Sequence, residues 1–124
     1  MQLLALSGSL RAVSINSALL RAAARLAPAD IDVAWCSGLG ELPLFNPDLE
    51  GDPPAAVQQF RARVAQADAL LIIGSNPRRE GTLLNARSRK RWRTGQLKVG
   101  VIGPKADLTY DYEHIGAGTD SLND

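Results

Sequence analysis

The chain has 124 residues, of which 45% are hydrophobic, and its 14 Lys and Arg against 13 Asp and Glu give a net charge of +1. This composition argues against disorder, and the length predicts a single domain over residues 1–124. The apolar runs are far shorter than the roughly 20 residues of a membrane span, and the N-terminus lacks the basic region of a signal peptide. With one Cys and one His, we expect no disulfide, iron–sulfur cluster or metal site, and a cytoplasmic location.

The charge is unevenly distributed along the chain. Residues 1–68 carry 5 basic and 7 acidic side chains, whereas residues 69–124 carry 9 and 6. Between Arg78 and Arg93 there are 7 basic residues and one acidic residue, Glu80. A basic run can bind nucleic acid, but this one contains a single Trp and no recognisable nucleic-acid-binding fold. We therefore favour a solvated helix face over a nucleic-acid partner.

The first third of the chain predicts a strand, a helix and a second strand. A nearly continuous apolar run predicts a strand over Gln2–Leu6. Ser14 or Asn16 can cap a helix over about Ser17–Ala27, and a second strand is predicted over Ile31–Cys36. The apolar face of the helix is expected to contain Leu19, Leu20, Ala23 and Leu26.

The remainder continues this alternation. After a long loop, Asp52 followed by two prolines predicts a capped helix start. Further strands are predicted over Ala69–Gly74 and Leu97–Ile102, with a helix over Gly81–Thr94 between them and room for a short edge strand near Tyr112–Gly116. The apolar stripe of the second helix consists of Val57, Phe60, Val64 and Ala67.

Strands that alternate with helices at this spacing predict right-handed parallel βαβ units. We predict an α/β fold: a three-layer, doubly wound parallel sheet of flavodoxin-like or Rossmann-like type, with strand order 2-1-3-4 and an optional short fifth strand. Ligands bind such sheets beyond the carboxyl ends of the strands, where the winding direction reverses. That point lies between strands one and three, so the candidate loops are Ser7–Asn16 and Ser75–Gly81.

The first loop has the composition of an anion site. Gly8 allows close backbone approach, hydroxyls and amides can donate hydrogen bonds, and the following helix contributes its positive N-terminal end. Arg11 can add a charge-assisted pair of hydrogen bonds to a phosphate. The simpler interpretation is that these residues are helix caps and a surface arginine. For an isolated loop of this kind we favour that simpler interpretation, and the family motif described next reverses the preference.

This loop and the segments after it resemble the NADPH-dependent FMN reductase family of flavodoxin-like enzymes. The similar segments are ALSGSLRAVSINSALL, Leu42–Asn46, Asp48–Glu50 and Ala55–Leu71. The resemblance implies bound FMN, or another phosphate or flavin nucleotide, and the loss of the ring-packing segment described below implies that FMN is bound weakly. It also implies a set of phosphate ligands, which are Ser9, Arg11, Ser14 and Asn16. After strand three the family's aromatic segment, which packs on the flavin ring, is missing.

The second half resembles the molybdopterin-oxidoreductase-like domain of the large peripheral-arm subunit of respiratory NADH:quinone oxidoreductase (complex I). The similar segments are GSNPR, LLNAR, RKRW, KVGVIGPKADLTY and GAGTD. In molybdopterin enzymes GSNP lies against the cofactor's nucleotide part, so Ser75 and Asn76 are candidate ligand contacts. The complex I domain is not, as a class, a molybdenum site, and we expect no molybdopterin. Ser88 replaces a residue that is commonly bulky and apolar, so we expect a less buried helix face there.

The two resemblances meet inside strand three, near residues 68–73. Because natural fusions usually join whole domains at linkers, we infer a recombinant chimera that was engineered or selected in the laboratory. The predicted function is a flavodoxin-like domain that keeps an FMN-phosphate loop, with little or no reductase activity and no assigned catalytic residue. The alternatives are a ligand-free scaffold for fold recombination, a weak NADPH-dependent FMN reductase, and an interaction module that uses the basic helix.

The topology also predicts self-association. A flavodoxin-like sheet normally has a last helix beside helix one, and the residues after strand four leave no room for it before Asp124. Apolar sheet surface left exposed in this way favours association. We therefore expect a dimer or a segment-swapped assembly, and no membrane partner.

Overall fold

A computed structural model describes residues 1–44, 46–80 and 82–118, and gives no description of the Leu83 side chain. The first two strands and the helices around them are β1 (Gln2–Ser7), α1 (Ile15–Leu26), β2 (Asp32–Trp35) and α2 (Ala55–Gln66). The remaining elements are β3 (Ala69–Ile73), α3 (Pro77–Glu80), α4 (Thr82–Trp92), β4 (Lys98–Ile102) and β5 (Glu113–Gly116). The predicted helix start at Gly81, Phe45, and the last two residues of GAGTD lie outside the described residues.

In the described part of the chain, five parallel strands form one sheet in the order β2-β1-β3-β4-β5. This confirms the predicted doubly wound α/β sheet, its strand order and its short fifth strand. The winding direction reverses between β1 and β3, as predicted. β3 is the central strand and all five of its residues are buried, because helices cover both of its faces.

Two apolar clusters form the layers on either side of the sheet. On one face, Phe60 and Val64 of α2 and Leu84 of α4 pack with residues of β1, β3 and β4. On the other face, Leu20 of α1 is fully buried against Ala5, Leu71, Ile73 and Ile102. The predicted stripe of α2 is confirmed, since Val57, Phe60, Val64 and Ala67 are all buried.

The first helix, predicted over about Ser17–Ala27, begins two residues earlier at Ile15, and its buried face ends before Leu26. Ser14 is the N-cap, and its Oγ accepts a hydrogen bond from the backbone N–H of Ser17 at 3.2 Å. The prediction that Leu26 lies on the buried face is wrong, because Leu26 is 72% exposed. It is the last residue of α1, so the contact with the sheet ends with Ala23, which packs against the cluster.

The predicted cap of the second helix is also wrong. The N-cap residue is Pro54, in an extended conformation and without a side-chain cap, so Asp52 lies outside the first turn. The side chain of Gln58 instead donates a hydrogen bond to the carbonyl of Pro53 at 2.8 Å. No helix in the described ranges is long and apolar enough to cross a membrane.

Candidate functional site

The loops that follow β1 and β3 touch each other through their backbones. The N–H of Gly8 donates to the carbonyl of Ile73 at 2.8 Å, and the N–H of Gly74 donates to the carbonyl of Ile102 at 3.0 Å. A Cβ at Gly8 would lie only 2.2 Å from the carbonyl oxygen of Gly74. Gly74 has a φ of 67°, which favours glycine. Gly8 therefore joins the ends of β1 and β3 at the reversal point, and Gly74 joins the end of β3 to that of β4.

The β1–α1 loop contains three of the predicted phosphate ligands, of which Ser14 caps α1. Ser14 is buried as the helix cap, so its hydroxyl is directed at the helix end. The Oγ of Ser9 accepts a long hydrogen bond from the N–H of Arg11, at 3.4 Å. The side chain of Arg11 is exposed and has no hydrogen-bond partner among the described residues. Ser9 and Arg11 are therefore accessible to an anion.

The fourth predicted ligand, Asn16, has a different position. Its Nδ2 atom lies 2.2 Å from where a Cβ of Gly74 would be. The Asn16 amide thus packs on the backbone of the second loop at Gly74 and connects the first turn of α1 to that loop.

A cavity of about 280 Å³ opens beside these loops. Its polar wall contains Ser7, Ser75 and Glu80. Its apolar walls contain Leu10, Leu39, Leu42, Pro43, Leu44 and Leu84. Apolar walls with a few polar groups are typical of small-molecule sites. Of the predicted ligands, Ser75 is the one whose described position lines this cavity.

Ser75 and Asn76 come together, but around a side chain of the protein itself. The Oε2 atom of Glu80 accepts a hydrogen bond from the Ser75 hydroxyl at 2.9 Å and from the Asn76 N–H at 3.1 Å. The carbonyl of Asn76 in turn accepts from the N–H groups of Arg79 and Glu80. The short helix α3 therefore returns Glu80 to its own start, and Glu80 becomes a site residue that the sequence analysis did not identify. Its one signal was that it is the single acidic residue of the basic run.

The basic run is mostly exposed, as predicted, but one of its residues, Arg78, has an acidic partner. Arg78 forms an ion pair with Asp107 at 2.6 Å. A hydrogen bond from the N–H of Thr109 is the largest cause that lowers the pKa of the Asp107 carboxyl. The hydrogen bond and the charge of Arg78 lower it further. This pair links α3 to the loop between β4 and β5.

Beneath that loop lies a group of buried polar side chains. Ser88 is fully buried, so the expected loosening of this helix face is wrong. The loop residue Tyr110 covers Ser88, and neither hydroxyl has a hydrogen-bond partner of good geometry among the described residues. Burial raises the pKa of Tyr110 to about 12, a rise that nearby Ser88 partly opposes. The side-chain amide nitrogen of Asn85 donates a hydrogen bond to the carbonyl of Leu108 at 3.1 Å, whereas its Oδ1 atom has no hydrogen-bond partner among the described residues.

The single cysteine directly follows β2 and does not line the cavity. Cys36 is buried, and burial raises the pKa of its thiol, while a hydrogen bond and the charge of Arg63 oppose the rise. The described ranges contain no group of three or more His, Cys, Asp or Glu side chains that could hold a metal ion.

The molybdopterin oxidoreductase family model matches residues 3–124. This match includes the first half, whose motifs resemble FMN reductases. In the search of curated proteins, the NADH dehydrogenase iron-sulfur protein 1 of Solanum tuberosum, a mitochondrial protein, is 36% identical over 88 residues, which is 71% of this chain and 11% of the relative. The mitochondrial NADH-ubiquinone oxidoreductase 78 kDa subunit of Neurospora crassa is 45% identical over 53 residues, which is 43% of this chain and 7% of the relative. The chain thus spans about a tenth of these relatives.

A solved structure resembles the chain over a larger share of its length. The flavoenzyme NAD(P)H:(acceptor) oxidoreductase FerB from Paracoccus denitrificans has a TM-score of 0.66 and 26% sequence identity. The match covers 82% of this chain and 59% of FerB. The chain is therefore similar both to complex I subunits and to a flavoenzyme, in agreement with the two resemblances of the sequence.

Proposed function

The chain belongs to the molybdopterin oxidoreductase family, and on that premise, together with its flavoenzyme-like features, we propose that it is a chimeric flavodoxin-like domain with a weak site for the phosphate of FMN. It has little or no reductase activity on this proposal. The two parents join within residues 68–73, and the chimera is of laboratory origin. The observation that carries the binding proposal is the pair of accessible residues, Ser9 and Arg11, in the loop that leads into the 12-residue helix α1.

The loop fits a phosphate group. Ser9 offers a hydroxyl, Arg11 a guanidinium, and α1 the positive end of its dipole. The adjacent cavity has apolar walls that suit an aromatic ring system. When bound, a flavin would supply the redox chemistry, and the chain's residues would hold its phosphate and exclude water from part of its ring.

A molybdopterin group does not fit the described residues. Ser75 and Asn76, which would face its nucleotide part, bind the carboxylate of Glu80. The buried thiol of Cys36 has a raised pKa, which disfavours the thiolate form that binds metals. We therefore propose no reaction step through molybdenum.

A ligand-free scaffold is the second candidate, and one observation favours it. Most of the predicted phosphate ligands make contacts within the loops, and the polar wall of the cavity contains a negative charge, Glu80. Both features weaken the binding of an anionic ligand.

Two of the complex I relatives are named as mitochondrial proteins, so a cytoplasmic location is a proposal that their names do not support.

Titration of FMN against the pure protein, followed by flavin fluorescence, tests the phosphate loop. We expect quenching with a weak Kd, and a loss of about tenfold or more in affinity in Arg11→Ala because a charge-assisted contact is removed. Arg21→Ala is the matched control, since Arg21 is also exposed but lies within α1. Equal loss in both variants, or no quenching at all, leaves the scaffold interpretation.

Addition of NADPH to the FMN complex tests the activity. We expect no flavin reduction above the rate of free FMN, because the segment that packs on the ring is replaced by α3. Reduction that depends on the protein and is lost in Arg11→Ala would instead make the chain a reductase.

We also propose that the chain self-associates as a dimer or a segment-swapped assembly. The observation behind this is Ile115 of β5, which packs on Gly100 of β4 and is 41% exposed. Sedimentation equilibrium should show a concentration-dependent increase in mass, reduced in Ile115→Asp. A strict monomer at high concentration contradicts the proposal.

A further inference from the structure

A second concentration of positive charge lies where α2 packs beside α4, on the face of the sheet opposite α1. The two helices pack on the sheet through Phe60 and Val64 of α2 and Leu84 of α4. Arg61 lies three residues before Val64. Arg87 lies three residues after Leu84. Residues three or four apart share one side of a helix, so both arginines border the packed faces of their helices, where they are half-buried.

The two guanidinium groups are close enough to influence each other. Burial lowers the pKa of Arg87, the positive charge of Arg61 lowers it further, and the carboxylate of Glu50 partly opposes this change. Both arginines remain charged at neutral pH, because a guanidinium group keeps its proton in proteins. Two like charges are therefore held near each other where the helices meet.

This pair of charges has no direct carboxylate partner in the described part of the chain. The ion pair within the described ranges joins Arg78 to Asp107. The carboxylate of Glu50 therefore acts on Arg87 through its charge and not through an ion-pair contact. One carboxylate that is not in contact offsets only part of the repulsion between two guanidinium groups.

Guanidinium groups at this helix contact also have buried donors that no described protein group accepts. The Nε atom of Arg61 is buried and has no hydrogen-bond partner among the described residues. The same is true of the Nε atom of Arg91, one turn after Arg87, although a terminal nitrogen of Arg91 donates to the side-chain oxygen of Gln96. A buried donor without an acceptor is costly. Positive charge and unsatisfied donors together favour a negatively charged acceptor at this position.

We propose that Arg61 and Arg87 form a binding site for a phosphate group, separate from the β1–α1 loop. A guanidinium group presents a planar fork of donors that matches the oxygens of a phosphate, and a tetrahedral anion can accept from two forks at once. Its charge of nearly −2 offsets the repulsion between the two arginines. The ligand is either a free phosphate ion or a phosphate ester on a larger molecule. This site does not depend on the proposed binding of FMN.

Titration of inorganic phosphate, followed by the Tm of the protein at constant ionic strength in sodium chloride, tests the site. Every protein carries Arg11→Ala, so that the β1–α1 loop does not contribute. We expect phosphate to raise the Tm of this background. Arg61→Gln and Arg87→Gln should each weaken the apparent affinity by about tenfold or more, because each removes a charge-assisted contact. Arg89→Gln is the matched control, since Arg89 is exposed on the same helix, and it should weaken the affinity by less than about twofold.

Titration of glycerol 3-phosphate in the same way distinguishes the two sources of the phosphate. Tighter binding of inorganic phosphate would indicate a free ion, and tighter binding of the ester would indicate a phosphorylated molecule; either result supports the site. Equal losses in Arg87→Gln and Arg89→Gln would overturn the proposal, because diffuse positive charge would then explain the binding. No rise in Tm with either compound would overturn it as well. Circular dichroism establishes that each variant is folded.

Discussion

Substitution of Gly8 by alanine tests the contact between the two site loops. The added Cβ would lie 2.2 Å from the carbonyl oxygen of Gly74, 2.5 Å from its carbonyl carbon and 2.8 Å from the Cβ of Ser75. Two of these atoms belong to the backbone, so no side-chain rotation can relieve the overlap. The φ of Gly8 is not in the left-handed region, so the expected cost is steric and not conformational.

The magnitude follows from the separation that the loops must gain. Non-bonded atoms need roughly 1 Å more than this contact offers, and the hydrogen bond from Gly8 to Ile73 would lengthen with it. Overpacking usually costs about 1–3 kcal/mol, and a contact between two backbones belongs at the upper end. We expect the free energy of unfolding to fall by about 3 kcal/mol, a large part of the ~5–15 kcal/mol typical of a domain.

Urea unfolding followed by circular dichroism measures this change, and Gly51→Ala is the matched control. No atom lies within 4 Å of a Cβ at Gly51, so that variant should be unchanged or stabilised by up to about 1 kcal/mol through the unfolded state. A difference between the two variants of less than about 0.5 kcal/mol would show that the loops separate easily and would refute the reasoning.

Three further predictions concern the layers around the sheet. Leu20→Ala should lower the free energy of unfolding by about 3 kcal/mol because Leu20 is fully buried, whereas Leu26→Ala should change it by less than about 0.5 kcal/mol; equal urea midpoints would contradict this. Ser88→Ala should leave stability unchanged or raise it by about 1 kcal/mol, since it removes a buried hydroxyl without a good partner; a clear loss of stability would mean that this hydroxyl is hydrogen-bonded. Tyr110 should ionise at a higher pH than free tyrosine, because burial raises its pKa to about 12. The unfolded chain loses that proton first, so the unfolding midpoint should fall as pH rises from about 10 to about 12, and a midpoint that Tyr110→Phe leaves equally pH-dependent would argue against it.

The strands could be predicted because their signal is local. Continuous apolar runs such as Ala69–Ile73, when they alternate with helices, predict a parallel sheet whatever the exact ends of the elements are. The start of α1 was predictable for the same reason, since Ser14 acts within one turn of its own position.

The errors arose where a distant contact decides the outcome. Ser88 is fully buried beside Tyr110, which lies beyond the next strand and also packs on Trp92 of the same helix. The role of Glu80 depends on the four-residue helix α3, which returns the carboxylate to Ser75 and Asn76. Composition suggested a basic surface there, and the turn converted its single acidic residue into part of the cavity wall.

On our proposal of a joint inside strand three, near residues 68–73, the central strand explains why a chimera could fold and yet bind its ligand weakly. β3 pairs with β1 on one side and with β4 on the other, in parallel register over all five of its residues. Backbone pairing depends little on side chains, so a joint within residues 68–73 preserves the sheet as long as both parents supply an apolar run. The ligand site lacks this tolerance, because its two loops lie on opposite sides of the joint. On our proposal, one of these loops carries Arg11, which attracts an anion, whereas the other carries Glu80, whose carboxylate lines the cavity and opposes anion binding.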